Sequence, residues 1–193
     1  MNDFINLFST PIYEATLALD LEKLKSYCYK CQEQDTIGCQ KSNRNGFHSK
    51  NLNLTDETLG PLQNQIVFHM NKYADILNAT GMSEITSMWI NINPPNGSNV
   101  AHIHPGAFMS GVMFIQTNEH TGNLYFQNPN PVEFDWKSKF FKNTRLNTYC
   151  NDMWDFLPRE NSLYLFPSWA KHGVHTNVSD FDRISISFNG QLK

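Results

Sequence analysis

From residue 84 onward the chain breaks into short runs of β-branched and aromatic residues, each closed off by proline, glycine or asparagine. This punctuation constrains the fold more than any other feature, because such runs read as strands and such clusters as turns. The runs cover 84–93, 107–117, 123–127, 162–166, 172–177 and 183–189. Many short antiparallel strands of this kind predict a jelly-roll barrel. Fourteen phenylalanines and an aromatic content of 13% favour a packed β-rich interior over disorder.

The first 83 residues read differently. Residues 4–13 suggest a short strand along the barrel, with a proline tolerated at an edge. Asp20 is placed to cap a helix running to about Gln34, with Leu21, Leu24, Tyr27, Cys28 and Cys31 at helical spacing. Residues 36–53 are polar and rich in Gly, Asn and Ser, and read as a loop. A second helix is expected from about Asp56 to Asn78, with Leu62, Ile66, His69, Met70, Tyr73, Ile76 and Leu77 as its apolar stripe and Gly81 ending it. The two helices would cover one outer face of a sheet. His69 lies on the stripe and reads as a packed histidine rather than a ligand.

At 193 residues the chain is expected to form a single domain, with 1–83 as N-terminal support, 84–193 as the barrel core, and a loop insertion at about 129–157. That insertion alternates Lys137, Lys139, Lys142 and Arg145 with Trp136, Phe140, Phe141 and Trp154, and its length suits a lid. A net charge of -3 gives no general footprint for nucleic acid. No run of about eighteen apolar residues occurs, so a cytoplasmic protein without membrane contact is expected, and self-association into a homo-oligomer stays open. Cys28-Tyr-Lys-Cys31 matches C-x-x-C, but no second pair completes a zinc site and the motif falls on a helix, so reduced, partly buried thiols are expected.

His102-Ile-His104 places two imidazoles on one face of an extended strand, where they can grip one ion. A third ligand would come from His172 or His175. Three apart on a strand, these point to opposite faces, and only one can look into a barrel. Three imidazoles leave coordination positions open for exogenous ligands, as a redox-active ferrous centre requires. Because each ligand must be neutral, affinity is expected to fall on acidification through about pH 6.5. The plainer alternative, two polar histidines on a solvent-facing strand, leaves the shared face and the distal histidine as coincidence. His48, in a polar segment, and His120, beside Glu119 in a turn, read as ordinary surface groups.

Arg183 follows the turn-forming run 177–182 and is expected to start the antiparallel strand next to that of His172. Its planar guanidinium suits a carboxylate; the plainer alternative is a surface ion pair with Asp180 or Asp182. Ser185 shares its face and could add a hydroxyl donor. Asn91 and Asn189 are weaker candidates for polar contacts inside the barrel. Ser168 lacks a G-x-S-x-G elbow and reads as a turn residue, not a nucleophile.

The ordered set His102-Ile-His104-Pro105, Ser110-Gly111-Val112, Phe166-Pro167-Ser168-Trp169 and Arg183-Ile-Ser-Ile-Ser-Phe-Asn189 resembles the iron(II) and 2-oxoglutarate-dependent oxygenase superfamily, over roughly residues 88–189. The resemblance implies a double-stranded β-helix of cupin-like type. It also implies Fe(II) held by His102, His104 and His172, the last chosen over His175 because it begins a His-x-Val after Phe-Pro-Ser. As cosubstrates it implies O2 and 2-oxoglutarate, the latter at Arg183 with Ser185 and Asn91 nearby, and hydroxylation of a C-H bond with release of succinate and CO2. An offset of five or six residues between His172 and Arg183, roughly 16 to 20 Å of strand, would fit a five-carbon dicarboxylate plus an extended Arg side chain. His104 stands where the superfamily usually has Asp or Glu, so the ligand set is one unit less negative, and a dianionic cosubstrate would just neutralise the metal. A non-catalytic metal and small-carboxylate sensor, and a three-histidine oxygenase that does not use 2-oxoglutarate, remain the alternatives. The substrate class, whether protein, nucleic acid or small molecule, stays open.

Overall fold

The computed structural model describes residues 7–129 and 151–193. Two antiparallel sheets face each other. The six-stranded sheet contains β1 (Tyr13–Thr16), β3 (Phe47–His48), β4 (Ser83–Asn93), β6 (Met109–Gln116), β9 (Ser162–Pro167) and β11 (Arg183–Leu192), in the order β1-β9-β6-β11-β4-β3. The five-stranded sheet contains β2 (Asn43–Arg44), β5 (Ser98–His102), β7 (Leu124–Gln127), β8 (Met153–Phe156) and β10 (His172–Val174), in the order β2-β5-β10-β7-β8. From β4 to β7 and again from β8 to β11 successive strands alternate between the sheets, which is the jelly-roll arrangement the strand spacing predicted.

Each strand of the larger sheet has two kinds of face because side chains alternate. Met88, Ile90, Ile92, Met113, Ile184, Ile186 and Phe188 point outward and join Leu24, Cys28, Leu62, Ile66, Met70 and Tyr73 of the helices in one buried cluster. The opposite face looks into the barrel. There Val112, Phe114, Tyr164 and Phe166 meet Leu124, Phe126 and Ala170 from the other side in a second cluster. That plug fills one part of the interior, and the remainder is polar.

The helices form for the reasons the sequence suggests, with shifted ends. Helix α1 (Leu21–Gln34) starts at Asp20, whose carboxylate accepts from the Lys23 N-H at 3.0 Å. A 3-10 turn, Glu57–Leu59, capped by Asp56, leads into α2 (Gly60–Ile76), which has Pro61 in its first turn. This helix stops at Ile76, and the left-handed residue after it is Asn78 (φ 54), not Gly81. Ile76 is consequently 69% exposed instead of part of the buried stripe. His69 is half-buried, with its Nδ1 2.8 Å from the Tyr13 hydroxyl.

Three strand expectations need correction. The first strand begins at Tyr13, after the proline, and pairs with β9 at the edge of the larger sheet. The segment expected to be a loop, 36–53, contains β2 and β3; β2 pairs with β5 and β3 with β4, so one Asn45-Gly46 turn joins the two sheets. These two-residue strands carry too few positions for a period to show. In the expected insertion, Met153–Phe156 is a strand paired with β7, while the lid suggested for it, with Trp136 and the four basic residues, lies outside the described residues. Cys28, Cys31 and Cys39 are free thiols, and burial pushes those of Cys28 and Cys31 up. Among the described residues no helix is long and apolar enough to cross a membrane.

Candidate metal centre

His102 ends β5, His172 opens β10, and the two are directly paired across those strands. His104 lies just past the end of β5, where its backbone N-H donates to the Ser168 carbonyl at 2.9 Å, so the turn before β10 fixes its direction. The ligand nitrogens of His102, His104 and His172 all lie within 4.8 Å of one another. His104 Nε2 and His172 Nε2 are 3.3 Å apart. Two nitrogens about 2.1 Å from one ion and at right angles would be separated by about 3.0 Å, so the spacing suits shared coordination.

The tautomers are prepared for that role. His102 Nδ1 lies 2.8 Å from the Val100 carbonyl and His172 Nδ1 2.8 Å from the Ala170 carbonyl. A carbonyl only accepts, so in both rings the proton sits on Nδ1 and Nε2 keeps its lone pair. Burial lowers all three imidazoles, His104 to about 4 and His172 to about 3. They stay neutral near pH 7, as ligands must be. Phe166 and Phe126 flank His172, with ring centroids 4.4 and 5.8 Å away, and exclude water from its apolar side. His175, the competing candidate, is turned aside, with its Nε2 3.0 Å from Asp155 and its ring tilted against that of Tyr125, centroids 4.5 Å apart.

Arg183 is 1% exposed, which rejects the surface ion pair; Asp182 instead accepts from the Tyr29 hydroxyl at 2.9 Å. Nor does Arg183 sit on the strand next to His172. It opens β11 in the six-stranded sheet, paired with β4 and β6, because the turn at 177–182 crosses from one sheet to the other. The side chain then spans the interior. Its Nη1 donates to the Thr121 and His175 carbonyls, and its Nη2 lies 3.4 Å from Asn99 Oδ1. His175 and Asn99 each lie three residues from a candidate ligand on the same chain segment, His172 and His102. At about 3.3 Å per residue about 10 Å of backbone therefore separates each of these anchors from a candidate ligand, in place of the 16 to 20 Å expected along a strand.

Gly122 makes this anchoring possible. Its φ is +91, and a Cβ there would lie 2.9 Å from Arg183 Nη1 and closer still to the His175 carbonyl. Burial pulls the guanidinium down to about 9, still above neutral pH, so it remains a cation. None of its contacts among the described residues is with an acid, and its Nε is buried without a partner, as are Asn91 Oδ1 and Asn93 Oδ1. Ser185 is buried beside Asn91 in the β4–β11 register, and Asn91 Nδ2 donates to Ser187 at 3.1 Å. Asn189 faces the barrel too, but accepts from Ser110 at 2.8 Å and donates to Ser87. The buried cation and its unpartnered Nε donor fit an anionic cosubstrate, since such groups are costly unless something pairs with them, whereas the two asparagine oxygens are acceptors and call for a donor.

Sequence reasoning missed His48 and Trp89. His48 stacks on Trp89 with centroids 5.7 Å apart and planes 9° apart, and Trp89 lies 5.6 Å from His104. His48 is thus part of the wall behind a candidate ligand. The alternation of β4 could have placed Trp89 inside; nothing in the polar segment around His48 points to its position.

A family model described as "Putative 2OG-Fe(II) oxygenase" matches residues 87–189, more than half of the chain. No protein of curated function matches the sequence. Among solved structures, a prolyl-4-hydroxylase from Pseudomonas putida is similar with a TM-score of 0.64 at 11% identity, covering 96% of this chain and 94% of that one. HygX from Streptomyces hygroscopicus, solved with nickel and 2-oxoglutarate, gives a TM-score of 0.61 at 9% identity, covering 95% of this chain and 83% of that one. A viral collagen prolyl hydroxylase from Paramecium bursaria Chlorella virus-1 gives 0.61 at 8% identity, covering 94% and 96%. At these identities the likeness is one of fold.

Proposed function

Because this chain belongs to the 2OG-Fe(II) oxygenase family, we propose that it hydroxylates a C-H bond of its substrate. In this reading His102, His104 and His172 are the only protein ligands of the iron, and Arg183 receives the far carboxylate of 2-oxoglutarate. The observation that carries the reading is a buried arginine with no acidic partner among the described residues, anchored on His175 and Asn99, each three residues along the chain from one of three converging imidazoles, which is about 10 Å of extended backbone. A five-carbon dicarboxylate with one end on a metal and the other on a guanidinium fills about that length. When bound, iron with 2-oxoglutarate and O2 supplies the oxidising power, ending in succinate and CO2.

The chain's own contribution is placement. The Val100 and Ala170 carbonyls hold two imidazoles in the tautomer that presents Nε2. The Thr121 and His175 carbonyls fix the guanidinium before any ligand arrives, so little rotamer entropy remains to be lost on binding. Ser185 and Asn91 line the same stretch of barrel and would add donors to the carboxylate. The Phe126 and Phe166 rings keep water off one side of the centre.

The test has two stages. Iron is loaded anaerobically into the wild type and the His102, His104, His172 and His175 alanine variants, and metal content is measured. Loss in the first three and retention in His175→Ala is expected. 2-Oxoglutarate is then titrated into the loaded wild type, following the metal-to-ligand absorption band, and succinate is measured after oxygen is admitted. Iron without 2-oxoglutarate binding would favour a three-histidine oxygenase that takes its substrate directly. Binding without succinate would favour a sensor.

A further inference from the structure

Among the described residues, the centre has a charge imbalance that its own side chains leave open. The three histidines are neutral, and no aspartate or glutamate joins their cluster among the described residues. The acids whose partners lie on the barrel strands or beside Arg183 are committed elsewhere: Glu14 accepts from the Tyr164 hydroxyl at 2.9 Å, Asp155 is 3.0 Å from His175, and Asp182 accepts from Tyr29 at 2.9 Å. Arg183 contributes one buried positive charge, and its contacts are two carbonyls and one amide oxygen. A divalent ion beside it makes three positive charges in a desolvated space. 2-Oxoglutarate brings two negative ones.

Resting on the oxygenase reading, we infer that this centre takes up one further monoanionic group next to the metal. Either a free small anion supplies it, or a carboxylate or phosphate-like group carried by the substrate. The uncompensated charge attracts such a group strongly: at an effective dielectric of about 20 and a separation of about 5 Å, one unit charge alters affinity by roughly 100-fold or more. The residue responsible is His104, because a carboxylate in its place would bring the sum to zero. The substrate class therefore follows from the ligand set: neutral substrates leave the centre with a net charge, and substrates with an anionic group near the reacting carbon do not.

The test uses the iron-loaded protein, held anaerobically with saturating 2-oxoglutarate at constant ionic strength and titrated with chloride, formate or inorganic phosphate. A saturable one-site shift of the absorption band is expected for at least one of them. Saturation below about 1 mM assigns the position to a free anion; saturation only at tens of millimolar assigns it to a tethered group, because a tether supplies an effective concentration in that range. His104→Asp, which restores the negative charge, should bind the same probe at least 10-fold more weakly. If His104→Asp and His104→Glu both lose iron, calorimetric titration of the anion into the iron-loaded wild type with and without 2-oxoglutarate decides: anion affinity must drop when the dianion binds, yet stay measurable. No shift up to about 100 mM, a dissociation constant worth only about 1.4 kcal/mol, would overturn the inference while 2-oxoglutarate still saturates. Undiminished anion affinity in His104→Asp would do the same. Failure of 2-oxoglutarate itself to bind is a different outcome, which removes the oxygenase reading and this inference with it.

Discussion

The two faces of β11 make opposite demands on one strand. Ile184, Ile186 and Phe188 face the helices and are fully buried among apolar neighbours. Arg183 and Ser185, on the alternate positions, are as well buried, yet they face a polar interior in which a guanidinium N-H has no partner. The outward face lowers the free energy of the fold, and the inward face holds a charge that raises it until an anion arrives. A period of two lets one segment do both, so stability and binding are separable by residue parity.

The largest expected effect falls on the outward face. Phe188→Ala should lose about 3–5 kcal/mol of unfolding free energy by urea titration, with 2-oxoglutarate affinity of the folded protein nearly unchanged. Next is Arg183→Ala, which should weaken 2-oxoglutarate binding by about 2–5 kcal/mol, at least about 30-fold, while iron content holds; Arg183→Lys should recover part of it by charge alone. Equal binding losses in Phe188→Ala and Arg183→Ala would show that the faces are coupled, and the parity rule would fail. Ser185→Ala should cost about 0.5–1.5 kcal/mol in 2-oxoglutarate affinity by the same titration, and no loss at all would remove the serine from the carboxylate site.

Acidification should have the smallest effect near neutrality. With His104 held at about 4, His172 at about 3 and His102 below its ordinary value, protons compete with the metal only well under pH 6.5. Metal content measured by equilibrium dialysis should stay nearly constant down to about pH 5.5 and collapse toward pH 4, lower than ordinary imidazoles would require. For the metal-free protein, the unfolded chain takes up protons below about pH 6.5 that the folded chain refuses, so stability should fall as pH drops from 6.5 toward 4. A metal-binding midpoint at pH 6.5 would show that the imidazoles are more hydrated than their burial implies.

The parts legible in the sequence were those with a repeating signal. Alternation along 84–93 and 183–189 located β4 and β11, and the two-residue spacing of His102 and His104 put their rings together, 4.9 Å apart, although His104 lies beyond the end of β5. Position in the sheets was not legible, because in this topology most neighbours in sequence are not paired in space: β10 and β11 are consecutive and lie in different sheets. The anchors of Arg183 were hidden for another reason. Two of them are the carbonyls of Thr121 and His175, and a carbonyl leaves no trace in residue identity. His48 was missed because a two-residue strand in a polar segment offers no period to read.

The short turn at Asn45-Gly46, with β2 in one sheet and β3 in the other, closes one margin of the barrel with continuous chain. That turn joins the sheets at one margin, and residues 157–161, which run from β8 to β9 beside β1, join them at the other. His102 and His172 sit on the second and third strands from that first edge, each with a hydrogen-bonded neighbour strand on both sides, so the histidine cluster is seated inside the sheet and not at its margin.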